Sequence, residues 1–408
     1  MSRHLFSRGT SFKIVSDEQE QGTPDFNGCG VSNLVFTRFM KFLLVNGYHV
    51  NDCPDFYIIS SCSVTNGTIH LAERTILQAL NTTDKPIILY GCFSGVNIPE
   101  EHIHRVHFLS GRTYEDANNM FEHDPNYSID RIIVDVNDTI YDGIKTDNVL
   151  SRQQINYQEY NITSKQSVLI SRGCNYNCTY CNIKANMGSP KSISIPTIVD
   201  TIKNIFNITK DSPLYKEEVV YLTSDDPGSY GTDIDTNIIE LINNIIKIDP
   251  KLTIAMNNLY PTTLLTYREE FLDYIRSQKI VYLCVPLQTG SDRILKLMGR
   301  AQTKVNEVVK LLEEYKRLNP KLWLYTHMLF SFPSETKEEL AKTLLISAIF
   351  NDTLFIEYSD VANVPSTRLK GHLDIKTRKS RVNMIRNFLK ISNKGTLATD
   401  FDVIKMSI

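Results

Sequence analysis

Val168-Leu169-Ile170-Ser171-Arg172-Gly173-Cys174-Asn175-Tyr176-Asn177-Cys178-Thr179-Tyr180-Cys181 is the stretch that decides the fold. A short apolar run of strand character ends in an Arg-Gly step, and three cysteines follow at C-x3-C-x2-C spacing. Iron–sulfur clusters are held by Cys thiolates, normally four for a [4Fe–4S] cluster. Three thiolates on one tight loop leave one iron open to a small chelating ligand. A structural zinc site would instead show paired C-x2-C with a fourth Cys or His at matching spacing. None stands nearby, and the closest downstream histidine is His327.

Beyond the loop, strand-like runs near 167–170, 218–222, 252–256, 280–285, 322–329 and 353–358 alternate with helical patterns such as Ile195 to Phe206, Thr236 to Ile248, Lys304 to Leu318 and Lys337 to Phe350. Six β-α units imply a parallel sheet with helices outside, a partial (β/α)6 TIM-like barrel over residues 164–392. Chemistry then belongs at the C-terminal ends of the strands, where the cysteine loop follows the first of them. The amino and carboxylate groups of S-adenosylmethionine (SAM) suit the open iron. An electron from such a cluster can cleave the sulfonium to a 5′-deoxyadenosyl radical, chemistry that the cofactor supplies and the protein positions. The motif and its place after strand one resemble the radical SAM superfamily.

Upstream, residues 1–125 read as a small open α/β sheet domain. Phe56 to Ser60 and Pro86 to Tyr90 are short buried strands, and Asn33 to Val45 and Thr68 to Leu80 are helices. Residues 126–163, rich in Asn, Asp, Gln and Tyr from 137 onward, read as a linker. Cys62 and Cys92 each end a strand and Cys29 precedes a helix. In an open α/β sheet those ends converge on one crevice, so these thiols either share a second cluster or are ordinary buried cysteines. Both sets together resemble the methylthiotransferase family, whose auxiliary-cluster domain precedes a radical SAM barrel. The resemblance runs through Gly28 to Tyr48, Ser61 to Asn66, Gly91-Cys92, Leu222 to Asn237 and Val285 to Asp292. The segment Leu222 to Asn237 is similar to the archaeal and eukaryotic branch that modifies N6-threonylcarbamoyladenosine beside the tRNA anticodon.

That resemblance implies two [4Fe–4S] clusters, one on Cys174, Cys178 and Cys181 and an auxiliary one on Cys29, Cys62 and Cys92. It implies two SAM molecules per turnover, methylthio transfer to C2 of the adenosine, and a flavodoxin or ferredoxin as reductant. Contacts to SAM are expected from Tyr180, Ser224, Asp225, Asp226, Asn258, Gln288, Ser291 and Arg300. For the aspartates the plainer possibility is a carboxylate that caps the next helix; for Arg300 it is an exposed side chain. Several positions depart from the family. Met187 stands where Arg is common, and His327 replaces an Asp. Ser331-Phe332-Pro333-Ser334 replaces Gly-Phe-Pro-Gly, and Tyr358 to Thr367 lacks Arg-Pro-Gly-Thr. Residues 393–408 read as a tail too short to fold alone, so the family's RNA-binding TRAM domain is expected to be absent.

The balance of 44 Lys and Arg against 46 Asp and Glu, a net charge of −2, requires any basic surface to be local. The run Lys370 to Arg386 is the best candidate for phosphate contact. No apolar run approaches the ~18 residues of a membrane span, and Met1 to Thr10 lacks a signal peptide's apolar region. A cytoplasmic monomer that binds tRNA is the expectation. Cys53 and Cys284 are expected to be packing residues, and His102, His104 and His107 ordinary surface or core histidines. The remaining alternatives are a methylthiotransferase for a protein or peptide, and a degenerate iron–sulfur RNA-binding protein.

Overall fold

Helical spacing explains how the first sheet is covered. The computed structural model describes residues 4–15, 30–61, 66–93, 95–110, 114–132, 167–210, 219–361 and 364–399. Strands β1 (Ser11–Val15), β2 (His49–Val50), β3 (Phe56–Ser61), β4 (Ile87–Gly91) and β5 (Val106–Ser110) form a parallel sheet in the order β2-β1-β3-β4-β5. The helix Gly30–Val45 places Phe36, Phe39, Met40 and Leu43 at i, i+3, i+4 and i+7, a single face. All four are buried, and the Phe39 ring stacks on Tyr90 of β4 at 5.3 Å. On the opposite side the helix Asn66–Thr82 buries Ile76, Ala79 and Leu80 against Ile59, Ile87 and Leu89. Covering both faces of a parallel sheet is what lets its strands be almost wholly apolar. Ile129 and Ile132 also sit in this core, so the first unit continues past residue 125. The expected linker lies largely outside the described residues.

The second sheet holds seven parallel strands: β6 (Ser167–Leu169), β9 (Val219–Thr223), β10 (Thr253–Met256), β11 (Ile280–Cys284), β12 (Trp323–Phe330), β13 (Asp352–Glu357) and β14 (Thr396–Ala398). A small antiparallel pair, β7 (Ser171–Arg172) with β8 (Lys191–Ser192), flanks the cysteine loop. The order β14-β13-β12-β11-β10-β9-β6 leaves β6 and β14 as edges, an open barrel. All six expected strands are present. The seventh, β14, corrects the expected C-terminal tail, because Thr396 to Ala398 pair with Leu354 to Ile356.

Alternate strand residues face opposite ways. Val220, Leu222, Ile254, Leu283, Leu324 and Phe355 pack outward under the helices. Ala255, Tyr282, Cys284 and Tyr325 form a separate inner cluster. Cys284 is therefore buried as expected, but Cys53 is exposed. It sits in a turn where its N–H donates to Asn51 Oδ1 at 2.9 Å, which corrects its reading as a packing residue.

The two sheets touch. Leu169 and Ile193 pack on the first core, and Lys191 Nζ lies 2.7 Å from Glu115. Ile69 forms a buried cluster with Val361 and Val364, with Val96 against it. Among the described residues no helix is long and apolar enough to cross a membrane.

Candidate active site

Gly173 opens the cysteine loop because nothing larger fits. Its φ is +88°, and an added Cβ would lie 2.4 Å from the Ser189 carbonyl oxygen, closer than any side chain tolerates. Its N–H donates to Asp225 Oδ2 at 2.7 Å, and Arg172 Nε reaches the same oxygen at 3.1 Å. Cys174 N–H donates to the Gly188 carbonyl, and Lys184 Nζ to the Cys174 carbonyl. Farther along, Thr179 N–H donates to the Met298 carbonyl, and Ser366 N–H to the Thr179 carbonyl. The loop is thus pinned from the ends of three barrel strands.

Each thiol sulfur has a donor. Tyr176 N–H points to Cys174 Sγ at 3.4 Å, Ile183 N–H to Cys181 Sγ at 3.4 Å, and Arg300 Nη1 to Cys178 Sγ at 3.5 Å. Burial pushes the Cys174 and Cys181 thiols up to about 12. Such thiols ionise when a metal supplies compensating charge, and binding then releases their protons. Among the described residues no three Cys, His, Asp or Glu side chains form a ready set for one metal ion. Three thiols on one loop, each met by a nitrogen donor, are the ligand set that a cluster with one open iron uses, and such donors also tune cluster potentials.

Arg300 is buried, only 4% exposed, so the exposed alternative is excluded. Its Nη2 donates to the Pro286 carbonyl at 2.8 Å, and its guanidinium lies 4.0 Å from the Tyr260 ring centroid. Tyr260 stacks in turn on Tyr176 at 3.5 Å. Burial works against the Arg300 charge, yet Tyr180, Cys178 and Tyr260 hold its pKa above the ordinary arginine value. This Arg–Tyr–Tyr stack is not legible in the sequence. The only signal is a Tyr inside the loop and a Tyr preceding Pro261 after β10.

The structure sorts the remaining candidates. Asp225 serves the loop, as above. Asp226 accepts from Gly228 N–H, Tyr260 N–H and Ser229 Oγ, and burial raises its pKa. Ser291 caps the helix Asp292–Leu297 and donates to Glu339 Oε1 at 2.7 Å. Asp225, Asp226 and Ser291 therefore each hold internal partners at the strand ends. Ser224 Oγ is buried and lacks a partner. Asn258 and Gln288 hold left-handed backbones at φ 57° and 71°, the second costly for a residue of that type. Tyr180 packs edge-on to Phe332. Met187 is buried beneath Arg172, whose Nη2 lies 2.8 Å from its sulfur. His327 faces the barrel interior beside Tyr325, and enclosure lowers its pKa to about 4.

On the first sheet, Cys92 follows Gly91, whose φ is +113° and where a Cβ would meet the Ser61 carbonyl oxygen at 2.5 Å. Cys92 N–H donates to that oxygen at 3.1 Å, and Ser61 Oγ donates to the Cys92 carbonyl. Cys62 follows Ser61 and Cys29 precedes Gly30 in the chain, but both cysteines lie outside the described residues. The Cys92 end of the sheet reaches the barrel mouth. Ile69 and Val96 meet Val361 and Val364, and Ser366 beyond them donates to the cysteine loop.

Comparison with known proteins agrees with this geometry. Residues 168–345 match the Radical SAM superfamily. A probable threonylcarbamoyladenosine tRNA methylthiotransferase of Pyrococcus horikoshii is 28% identical over 330 residues, 78% of this chain and 71% of that protein. A protein of the same name from Methanocaldococcus jannaschii is 25% identical over 92% of this chain and 85% of its own length. In fold, the chain is similar to the cobalamin-dependent S-adenosylmethionine radical enzyme OxsB, with a TM-score of 0.51 and 12% identity. That match covers 93% of this chain and 56% of that one. Residues 168–345 thus form a radical SAM domain, and over most of its length the chain resembles the methylthiotransferases.

Proposed function

We propose that this radical SAM enzyme transfers a methylthio group to C2 of N6-threonylcarbamoyladenosine beside the tRNA anticodon, using two [4Fe–4S] clusters and two SAM molecules per turnover. The observation that carries the reading is that one short segment, Val361 to Ser366, touches both the cysteine loop and the domain that bears Cys92. Ser366 touches the C-x3-C-x2-C loop, while Val361 and Val364, a few residues earlier, touch Ile69 of the helix Asn66–Thr82, which packs on the sheet that ends at Cys92. The names of the archaeal relatives support the substrate.

In this reading Cys174, Cys178 and Cys181 hold one cluster, and Cys29, Cys62 and Cys92 hold the other. Together the bound groups would supply one-electron cleavage of SAM and the sulfur that is transferred. The chain's own residues do the rest. Asp225, through Arg172 and Gly173 N–H, fixes where the loop begins. Arg300 places a permanent positive charge against Cys178, and the Tyr260–Tyr176 stack covers it from one side. Ser224, Asn258 and Gln288 line the strand ends as candidate SAM contacts. His327, uncharged at neutral pH, offers a neutral hydrogen-bonding group to the substrate where the family commonly has a carboxylate. A flavodoxin or ferredoxin would supply electrons, and the protein would act as a cytoplasmic monomer.

The test is a nucleoside profile of tRNA from cells expressing the protein and from cells expressing a Cys174→Ala, Cys178→Ala, Cys181→Ala variant. Only the first should contain the 2-methylthio form of threonylcarbamoyladenosine. Unchanged tRNA together with a methylthiolated peptide in the same cells would replace this substrate with a protein one.

A further inference from the structure

Residues 365–392 contain eight Lys or Arg and a single acid, Asp374. That segment carries +7 within a chain of net charge −2, so all other residues together sum to −9. Two of the eight bases are structural. Arg378 Nε pairs with the buried Glu357 carboxylate at 2.9 Å, and Arg381 is buried with Nη2 3.3 Å from the Glu335 carbonyl oxygen. This corrects the expectation that the whole run Lys370 to Arg386 offers phosphate contacts. These two arginines instead fasten the helix Ile375–Ser392 to the end of the barrel.

The other six are exposed. Lys376, Lys379, Arg386 and Lys390 stand at i, i+3, i+10 and i+14, with Asn383 at i+7, so they share one helical face. The stripe from Lys376 to Lys390 is ~21 Å long at ~1.5 Å per residue. Its pairs at i+3 and i+4 are like charges, which destabilise an isolated helix. The segment that leads into the stripe is tied to the active site. Ser366 N–H donates to the Thr179 carbonyl of the cysteine loop, and Ser334 N–H donates to the Gly371 carbonyl. Exposed Arg368 and Lys370 lie between those two anchors.

We propose that this stripe is the surface along which the substrate RNA lays its phosphate backbone, so that the target base reaches the barrel mouth. The inference rests on the tRNA reading and adds where the RNA is held. A point-charge stripe that tracks phosphates binds without base readout, and its signature is salt dependence.

The test measures binding of a purified tRNA carrying threonylcarbamoyladenosine to the reconstituted protein across a salt series. The stripe variant replaces Lys376, Lys379, Arg386 and Lys390 by Gln. A control variant replaces four other exposed lysines, Lys247, Lys251, Lys310 and Lys321, by Gln. Each lost phosphate contact lowers the log–log slope by ~0.7–0.9. The stripe variant should therefore lose a slope of about 3.2 and, between ~50 and ~200 mM salt, become about 80-fold less salt-sensitive than the wild type. The control should keep the wild-type slope, and thermal melts of both variants should match the wild type. Wild-type binding with equal slopes in both variants overturns the stripe and leaves the tRNA reading standing. No wild-type binding at low salt overturns both. A stripe variant that fails to fold is replaced by two half-stripe variants. One combines Lys376→Gln with Lys379→Gln, the other Arg386→Gln with Lys390→Gln, and each should show about half the slope change.

Discussion

Replacing Asp225 by Ala removes the carboxylate that fixes the start of the cysteine loop. Asp225 Oδ2 accepts from Arg172 Nε at 3.1 Å and Gly173 N–H at 2.7 Å, and both side chains of the ion pair are 5% exposed. Removing one partner of a buried pair leaves the other charge uncompensated, which costs ~3–5 kcal/mol. For a unit of this size each kcal/mol shifts the melting temperature by ~2–4 °C, so Asp225→Ala should lower it by roughly 6–20 °C. The double variant Arg172→Met, Asp225→Leu removes both charges and should recover much of that loss, because the stranded guanidinium causes most of it. The assay is thermal unfolding of cluster-free protein, which separates the loop's own stability from cluster binding. SAM affinity of the reconstituted single variant provides the second readout. A melting temperature within ~2 °C of wild type combined with lost SAM affinity would refute the positioning role and return Asp225 to direct SAM contact.

Three further outcomes are expected. Burial holds Glu335 at about 7 against an ordinary 4.5, with Ser331 N–H and Arg381 opposing the shift. Because its folded pKa is raised, its favourable contribution is complete below about 4.5 and is lost as pH rises through about 7. Glu335→Gln should remove up to ~3 kcal/mol of that pH dependence, and urea melts at several pH values that keep the wild-type slope would contradict it. Ser331 holds φ 61° with a buried, unpartnered hydroxyl, so Ser331→Gly should stabilise by ~1 kcal/mol; a lower denaturation midpoint would count against the strain argument. Arg300→Gln removes a positive charge from Cys178 and should lower the cluster's reduction potential; an unmoved potential in a spectroscopic titration would show that the contact is not electrostatic in effect.

What the sequence reveals follows from what is local. The cysteine loop, the six apolar strands and the helices between them carry their signal within a few residues of themselves. β1 escapes a reading of the sequence because Ser-Phe-Lys-Ile-Val is short and half polar, and its place beside β3 depends on pairing with a distant segment. β14 escapes for the same reason, since Thr396 to Ala398 become a strand only by lying against β13. Ser331 and Ser334 stand out in the sequence as departures from glycine, and their left-handed φ values of 61° and 65° explain why glycine is common there. The aspartates are placed after β9 by the sequence and their partners are not, because whether a carboxylate faces a ligand or caps a loop depends on backbone N–H groups from elsewhere in the fold. Arg378 and Arg381 look like neighbours on a basic run, and only burial separates them from the exposed stripe.

The central claim is that one chain gives its two cysteine sets different tasks. The most direct measurement quantifies 5′-deoxyadenosine and methylthiolated nucleoside in the same anaerobic reaction, with wild type and with Cys92→Ala. The account predicts that Cys92→Ala still cleaves SAM and makes no methylthio product. Methylthio product at the wild-type level, or loss of SAM cleavage in step with the product, would contradict it.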